Sequence, residues 1–458
     1  MDAQSPAVQR LMDFLRIPSV STDPAYAVHV RAAAQWVQTQ LDGLGFTTEL
    51  VASGGGHPAV LARSTDAIVE PDASTTVLFY GHHDVQPPDP LEGWTTPPFE
   101  PSIRDSRTPD DGPAIYARGA CDDKGQVLTF IEALRNLLAN GGRLPCRVTL
   151  LIEGEEECGS RTLPRILEER ADDLRADVAL VSDTAMWDAE QVAITYGLRG
   201  LVYFDIKLHG PDRDLHSGVY GGTLANPAER LTWVLGKLFD DDHRVTIPGF
   251  YEDVAPLDPA ERAAWDQLDD DGARQLSGVG AEPFGEAGFS THERNWARPA
   301  CDVNGLYGGY GGEGAKTVIP AMAGAKVSFR IPGHMDPQKV ADSFVAWLHG
   351  FDDRLGGCRW ELENHGVANA VLVPRDSVWM RRAGQAITEA TGKPPVLMRE
   401  GATIPVIADL QAQLKLDTLL IGFGLHADNI HSPDEHFALR RFGLGIRVHE
   451  AVLRHLAG

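Results

Sequence analysis

Four short apolar runs constrain the fold of this 458-residue chain more than any other feature. Their lengths are typical of strands that are buried on both faces. A longer segment, Asp123 to Asn140, has helical periodicity, with Val127, Ile131, Leu134 and Leu138 on one face. Buried strands that alternate with amphipathic helices predict an α/β domain with a mostly parallel sheet and helices on both faces. The four runs are Val77–Tyr80, Val148–Ile152, Val178–Val181 and Thr418–Phe423.

The middle of the chain has a different pattern, because its apolar residues alternate with polar ones. Leu201–Leu208 places Val202, Phe204, Ile206 and Leu208 on one face, and Lys326–Ile331 alternates in the same way. Alternation of this kind is typical of a sheet with one wetter face. We therefore predict an α+β domain at residues 197–370. It is inserted into a discontinuous α/β domain formed by residues 1–196 and 371–458.

Charge and cysteine content exclude several classes of function and location. The chain has 65 acidic residues against 41 Lys and Arg, a net charge of −24. So acidic a protein is a poor partner for nucleic acid or for anionic membranes. The N-terminal twenty residues lack a basic segment followed by an apolar one, so we predict no signal peptide. The five cysteines have no CxxC spacing, which favours reduced thiols and a cytoplasmic location.

Histidine or carboxylate residues, or both, follow each of the four predicted strands. The carboxyl ends of parallel strands form the ligand-binding edge of an open α/β sheet, so these side chains should meet there. Asp122 and Asp123, at the start of the predicted helix, add two more carboxylates. The segments after the strands are GHHDV at 81–85, EGEEECGS at 153–160, SDT at 182–184, and a loop with His426, Asp428, His431, Asp434, Glu435 and His436.

Each of these segments has a plainer interpretation when it is taken alone. Consecutive glutamates usually form a solvated surface, and Asp-Asp at a helix start usually complements the helix dipole. Together, however, carboxylates crowded at one edge repel one another unless cations hold them. Imidazole nitrogen with carboxylate oxygen, and no thiolate, suits Zn²⁺ or alternatively Mn²⁺. Two metal ions that share a carboxylate would neutralise the cluster and activate a water molecule.

The motifs also occur in an order that identifies a family. The chain resembles the two-metal peptidases of the carnosinase, aminoacylase and carboxypeptidase G family, most closely the carnosinase-like dipeptidases. This resemblance covers nearly the whole chain and implies a metal-dependent amide hydrolase with an inserted lid and dimerisation domain. In chain order the motifs are GHHDV, ARGACDDKG, EGEEECGS, VSDT, LHSGVYGG, KTVIP, SFRIP, REGATIPV and IHSPDE.

The resemblance implies a role for each residue of the metal centre. Asp122 would bridge two divalent ions, and the peptide bond that follows it is expected to be cis. Glu156 would be the general base, although the adjacent Glu155 leaves the register of this glutamate run open. Asp84 would orient a ligating histidine. The implied ligands are His82, Asp122 and Asp183 for one ion, and Asp122, Glu157 and His431 for the other.

The inserted domain is implied to complete the active site. His216 would stabilise the oxyanion from the neighbouring subunit of a homodimer, and Arg330 would bind the carboxylate of the substrate as a bidentate partner. Thr317 and Thr403 would donate hydrogen bonds.

We expect a metallopeptidase that cleaves dipeptides or very short peptides with a free carboxyl terminus. Asp183 favours this activity, because in the family an aspartate at this ligand position tends to accompany dipeptidases. Two alternatives remain: an amidohydrolase that deacylates N-acyl amino acids, and a catalytically inactive binding protein of the same fold.

Overall fold

A computed structural model describes residues 1–108, 111–268 and 272–458 of the chain. The strands, numbered in chain order, are β1 (Phe46–Val51), β2 (Ala59–Ser64), β3 (Thr76–His82), β4 (Ser102–Asp105), β5 (Pro113–Tyr116), β6 (Arg147–Glu153), β7 (Val178–Val181), β8 (Ala193–Leu198), β9 (Gly200–His209), β10 (Leu215–His216), β11 (Ala300–Gly308), β12 (Val318–Ile319), β13 (Met322–Ile331), β14 (Arg359–Ala368), β15 (Val371–Leu372), β16 (Val396–Glu400), β17 (Asp417–Leu420) and β18 (His436–Ala438).

Helices alternate with these strands. In chain order they are α1 (Pro6–Leu15), α2 (Ala27–Asp42), α3 (Lys124–Gly141), α4 (Leu163–Glu169), α5 (Ser217–Tyr220), α6 (Pro227–Leu235), α7 (Pro259–Trp265), α8 (Ala273–Gly278), α9 (Thr291–Trp296), α10 (Pro337–His349), α11 (Val378–Thr391), α12 (Pro405–Asp409) and α13 (Leu439–Ala457). In the described part of the chain, none of them is long and apolar enough to span a membrane.

The chain folds into two compact units. Unit 1 comprises Met1–Tyr196, Val373–Leu397 and Asp409–Gly458, and unit 2 comprises Gly197–Leu372 and Met398–Ala408. The division therefore lies within two residues of both ends of the predicted insertion. It differs from the prediction at Met398–Ala408, a segment that the sequence placed with the C-terminal part of the α/β domain.

Unit 1 is built on a mixed sheet whose strands run in the order β1-β2-β6-β3-β7-β17-β8. The four central strands, β6, β3, β7 and β17, pair in parallel, whereas the flanking pairs are antiparallel. The mostly parallel sheet that the apolar runs predicted is confirmed. All four central strands end at the same edge of the sheet, since His82 at the end of β3 pairs with Glu153 at the end of β6.

Helices α3, α11 and α13 pack together in the core of unit 1, and α3 also contacts β3. Phe79 of β3 stacks on Phe130 of α3 with ring centroids 3.9 Å apart. Gly142, with a φ of 75°, caps α3 in the left-handed conformation that glycine adopts without strain. A separate three-stranded sheet of this unit has the order β18-β5-β4.

Unit 2 contains an antiparallel sheet in the order β11-β13-β9-β14. Buried and half-buried residues alternate along all ten positions of β9, as the sequence predicted for Leu201–Leu208. Its buried side chains Val202, Phe204, Ile206 and Leu208 form a hydrophobic core with residues of α6 and α10. A small two-stranded ladder pairs β10 with β12.

Candidate metal centre and active site

The predicted ligands of unit 1 sit where the central strands end. His82 is the last residue of β3, Asp183 follows β7 by two residues, and Asp122 lies just before α3. Glu157 belongs to a short 3₁₀ turn after β6. His431 lies in the loop between β17 and β18, with a φ of 60°. Topology therefore brings together residues that are far apart in the sequence.

His82, Asp122 and Asp183 form a first group with metal-ligand geometry. Their ligand atoms all lie within 4.8 Å of one another. His82 Nε2 is 3.1 Å from Asp122 Oδ1 and 3.9 Å from Asp183 Oδ2. On the other side of the ring, His82 Nδ1 lies 3.1 Å from the Asp84 carbonyl oxygen and 3.4 Å from its carboxylate. Asp84 therefore fixes the ring so that Nε2 faces the carboxylates.

Asp122, Glu157 and His431 form a second group of the same kind. His431 Nε2 lies 2.9 Å from Asp122 Oδ2 and 3.3 Å from Glu157 Oε1. Asp122 therefore faces the first group with one carboxylate oxygen and the second group with the other. Gln86 donates from Nε2 to Glu157 Oε2 over 2.8 Å and orients that carboxylate, a contact that the sequence analysis missed.

The electrostatics of the two groups fit divalent cations. Burial and the Asp122 carboxylate raise the pKa values of Asp183 and Glu157. Burial would also raise that of Asp122, but the imidazoles of His431 and His82 lower the pKa of this carboxyl. The buried atoms His82 Nε2 and Glu157 Oε1 have no well-formed hydrogen bond within the described ranges. Buried ligand atoms without partners, next to crowded carboxylates, suit metal ions better than protons.

Glu155 and Glu156 have different surroundings. The Glu155 carboxylate accepts hydrogen bonds from the backbone N–H groups of His57 and Thr162, each over 3.1 Å, and from the Thr162 hydroxyl. Burial, reinforced by the charges of Glu157 and Asp122 and opposed by His82, raises the pKa of Glu156 to about 7. These hydrogen bonds fix the Glu155 carboxylate in the loop, whereas Glu156 lies beside the metal ligands. This difference favours the prediction that Glu156, and not Glu155, is the general base.

The segment that carries Asp122 is held by Glu435. The peptide bond between Asp122 and Asp123 is cis, as the resemblance implied. Glu435 Oε1 accepts hydrogen bonds from the N–H groups of Cys121 and Asp122 over 2.9 and 3.0 Å. Its other oxygen accepts from Gly119 N and from Arg118 Nη1. Glu435 is therefore a scaffold for Asp122, although its position in the loop suggested only one more carboxylate at the sheet edge.

In unit 2, His216 ends the short strand β10, and Thr317 directly precedes the neighbouring strand β12. His216 pairs with Val318, and the Ser217 N–H donates to the carbonyl oxygen of Thr317 over 3.1 Å. The His216 side chain is exposed, and its Nδ1 accepts a hydrogen bond from Gly218 N over 2.9 Å. The Nε2 atom of His216 is therefore the ring atom left to act on a ligand.

Arg330 and Thr403 form a second pair in unit 2. Arg330 Nη1 donates to Thr403 Oγ1 over 2.6 Å. The Thr403 hydroxyl in turn donates to the backbone carbonyl of Arg199 over 2.6 Å. The sequence predicted that Thr403 donates to the substrate, but here its only proton is used by the backbone, so Thr403 orients Arg330.

Comparison with known proteins finds relatives along nearly the whole chain. The sequence model described as peptidase family M20/M25/M40 matches residues 78–455. The Cys-Gly metallodipeptidase dug1 of Schizosaccharomyces pombe is 31% identical, over 98% of this chain and 95% of its own. The Beta-Ala-His dipeptidase of Homo sapiens is 31% identical, over 83% and 75%. The crystal structure of human carnosine dipeptidase 1 has a TM-score of 0.83 at 29% identity, over 99% of this chain and 96% of that one.

Proposed function

The chain belongs to peptidase family M20/M25/M40 and is a metallopeptidase, and from this premise we propose that it hydrolyses dipeptides or very short peptides with a free carboxyl terminus. The observation that carries this proposal is the pair of ligand groups that share Asp122. His82 and Asp183 complete one group, and Glu157 and His431 complete the other. Up to two divalent ions would bind per chain, zinc or else manganese, since the donors are imidazole and carboxylate.

The proposed mechanism assigns the proton transfers to Glu156. His82, Asp122 and Asp183 would hold one metal ion and Asp122, Glu157 and His431 the other, and the bound ions would supply an activated water and polarise the scissile carbonyl. Glu156 takes a proton from the attacking water and delivers it to the nitrogen of the leaving amine. Asp84 keeps the His82 ring in its ligating orientation.

Unit 2 provides the groups that bind the substrate in this proposal. Arg330 binds the α-carboxylate, because its planar fork matches two carboxylate oxygens. Thr317 is the remaining donor toward the peptide, while Thr403 keeps Arg330 oriented. His216 stabilises the tetrahedral oxyanion, and we assign it to the neighbouring subunit of a homodimer. The five free thiols suit the reducing cytoplasm as the place of action.

Metal analysis combined with a hydrolysis screen tests this function. The substrates are dipeptides, including Cys-Gly and β-Ala-His, and N-acyl amino acids, whose hydrolysis would instead indicate the deacylase alternative. We expect chelation to abolish dipeptide hydrolysis and divalent ions to restore it. Full activity in a metal-free preparation would reject the mechanism.

Two ligand substitutions make the test specific for the shared carboxylate. Asp122→Ala should reduce the metal content of both sites, whereas His431→Ala should chiefly reduce that of one, as measured by elemental analysis of the purified protein. His426→Ala is the matched control, because His426 is an exposed histidine of the same loop and belongs to neither ligand group. Equal metal loss in all three variants would contradict the assignment of ligands.

A further inference from the structure

Two arginines of unit 2, Arg199 and Arg330, lie close together. Burial and the positive charge of Arg330 lower the pKa of Arg199 to about 10. Among the described residues, no carboxylate lies within ion-pair distance of Arg199 or Arg330, and the nearby Asp302 acts only through space. Both arginines are partly buried. Two like charges in a partly buried position are costly unless an anion binds there.

Arg199 is also attached to the segment 401–403 at three points. Its guanidinium Nε donates to the Gly401 carbonyl over 3.2 Å, and its backbone N–H donates to Ala402 O over 3.1 Å. Its backbone carbonyl accepts the hydroxyl proton of Thr403, the residue that in turn accepts from Arg330. Two of these contacts use the backbone of residue 199, and the guanidinium supplies the third, so the Arg199 side chain fixes the Gly401 end of the segment that leads to Thr403 and its partner Arg330.

The packing around Gly401 shows how little space this arrangement leaves. The Arg199 guanidinium donates from Nη2 to Asn295 Oδ1 over 3.0 Å. A Cβ atom at Gly401 would overlap Asn295 Oδ1 and lie 2.8 Å from Arg199 Nη2. A side chain at Gly401 would therefore push aside the Asn295 amide and the Arg199 guanidinium, the two groups that lie nearest to it.

We propose that Arg199 is a positioning residue that makes the Arg330 site selective for a free α-carboxylate. It does so through its guanidinium, which holds the Gly401 end of the segment that carries Thr403 and adds a second positive charge beside Arg330. This inference rests on the proposed function, because it assigns to Arg330 the carboxylate of the substrate. It adds a residue that need not touch the substrate yet sets the preference for peptides with a free carboxyl terminus over amidated ones.

Kinetics with a matched pair of substrates test the inference. The pair is a dipeptide that the wild type hydrolyses and the C-terminal amide of the same dipeptide. Arg199→Met removes the positive charge and the hydrogen-bond donors of the guanidinium and keeps an unbranched side chain. It should raise KM for the acid about tenfold, the effect of losing a charge-assisted hydrogen bond, with kcat and the KM of the amide nearly unchanged. Arg199→Lys should lie between, and Gly401→Ala should reproduce Arg199→Met.

A merely structural role for Arg199 would give a different result. Loss of activity toward acid and amide alike, together with a lower Tm, would overturn the inference. Arg298→Met is the matched control, because Arg298 is a part-buried arginine of unit 2 that binds Glu286. It should leave the preference for acid over amide as in the wild type.

The inference can also be separated from the proposed function. If the wild type hydrolyses no dipeptide of the screen, the proposed function fails, and the metal-loaded proteins are then titrated calorimetrically with glycine and glycinamide. A preference for glycine in the wild type that Arg199→Met and Gly401→Ala both lose would support the inference. An equal preference in wild type and variants, or none in the wild type, would overturn it.

Discussion

At the scale of single residues, adjacent glutamates acquire different properties from the atoms around them. Glu155 receives hydrogen bonds from His57 N and Thr162, which hold its carboxylate in the loop. Glu156 is buried beside the carboxylates of Glu157 and Asp122, which raises its pKa to about 7. A carboxylate whose pKa lies near neutrality can both accept and return a proton.

This contrast predicts opposite outcomes for two conservative substitutions. Glu156→Gln should lower kcat by about 10² to 10⁴, the usual contribution of a positioned acid–base group, with metal content unchanged. Glu155→Gln weakens the hydrogen bonds to the loop, so it should lower Tm while kcat stays near that of the wild type. Steady-state kinetics, elemental analysis and thermal unfolding of both variants provide the measurements. An inactive Glu155→Gln beside a normal Glu156→Gln would show that the register is wrong.

The residues of the site that the sequence did not predict contact residues that are far away along the chain. His82, Asp122 and Glu157 could be named because each belongs to a short motif next to a predicted strand. Arg199 reaches Thr403 across 204 positions of the chain, and neither lies beside a metal-ligand motif. Local patterns contain no information about which distant backbone a side chain will meet, so the Arg199 contacts required the structure.

At the scale of secondary-structure elements, helix α3 connects the metal centre to the core. It begins two residues after Asp122, and its first turn packs tightly against the loop that carries this ligand. A Cβ atom at Gly125 would overlap the carbonyl oxygen of Ala120 and lie 2.8 Å from Phe437 Cδ1. At the other end of the same helix, a Cβ atom at Gly141 would meet no heavy atom within 4 Å.

The two glycines therefore form a matched pair for substitution. Gly125→Ala should destabilise the protein by about 1–3 kcal/mol, as overpacking does, and should reduce metal content because the segment before Asp122 must move. Gly141→Ala should stabilise it by about 0.4–1 kcal/mol, since alanine lowers the entropy of the unfolded chain. Denaturant unfolding of the metal-loaded proteins and elemental analysis measure both effects. Gly125→Ala with the stability and metal content of the wild type would contradict this account.

A strand whose apolar and polar residues alternate strictly could be predicted from the sequence. The strand predicted from an uninterrupted apolar run was only partly correct. The alternation in Leu201–Leu208 became β9 because side chains of a strand alternate between faces. The run Thr418–Phe423 was predicted as a strand, but β17 ends at Leu420. Beyond it the Phe423 N–H binds Gln126 Oε1 over 2.7 Å instead of a neighbouring strand. Apolar character predicts burial, and a strand also requires a backbone partner.

At the scale of the whole molecule, the start of the second unit was predicted from a change in sequence pattern. Uninterrupted apolar runs give way there to segments in which apolar and polar residues alternate. Gly197 and Leu372 bound its main segment, close to the predicted 197–370. Met398–Ala408 belongs to unit 2 as well, because Arg199 holds Gly401, Ala402 and Thr403 there. No change in composition marks this return, so the sequence placed the segment with the α/β domain.

The exposure of His216 leads to a prediction about assembly. Its side chain is exposed, as are those of Val219 and Tyr220, with 66% and 40% of their surface accessible. Apolar side chains exposed beside a histidine suit a loop that a second subunit covers. If His216 serves the site of the partner, His216→Ala should lower turnover by about 10² to 10³ without loss of metal. His209→Ala, which alters a half-buried histidine of β9 in unit 2, should remain active.

Mixing two inactive variants tests whether that site is completed in trans. A heterodimer of His216→Ala with Glu156→Gln contains one site with both an intact Glu156 and an intact His216, and this site forms only if His216 is supplied by the partner. Random exchange makes half of the dimers mixed, so about one quarter of the wild-type activity should return. If His216 acted within its own chain, every site would lack one of the two groups and no activity would return. Subunit exchange is verified with differently tagged chains, because absence of recovery contradicts the trans arrangement only where mixed dimers are present.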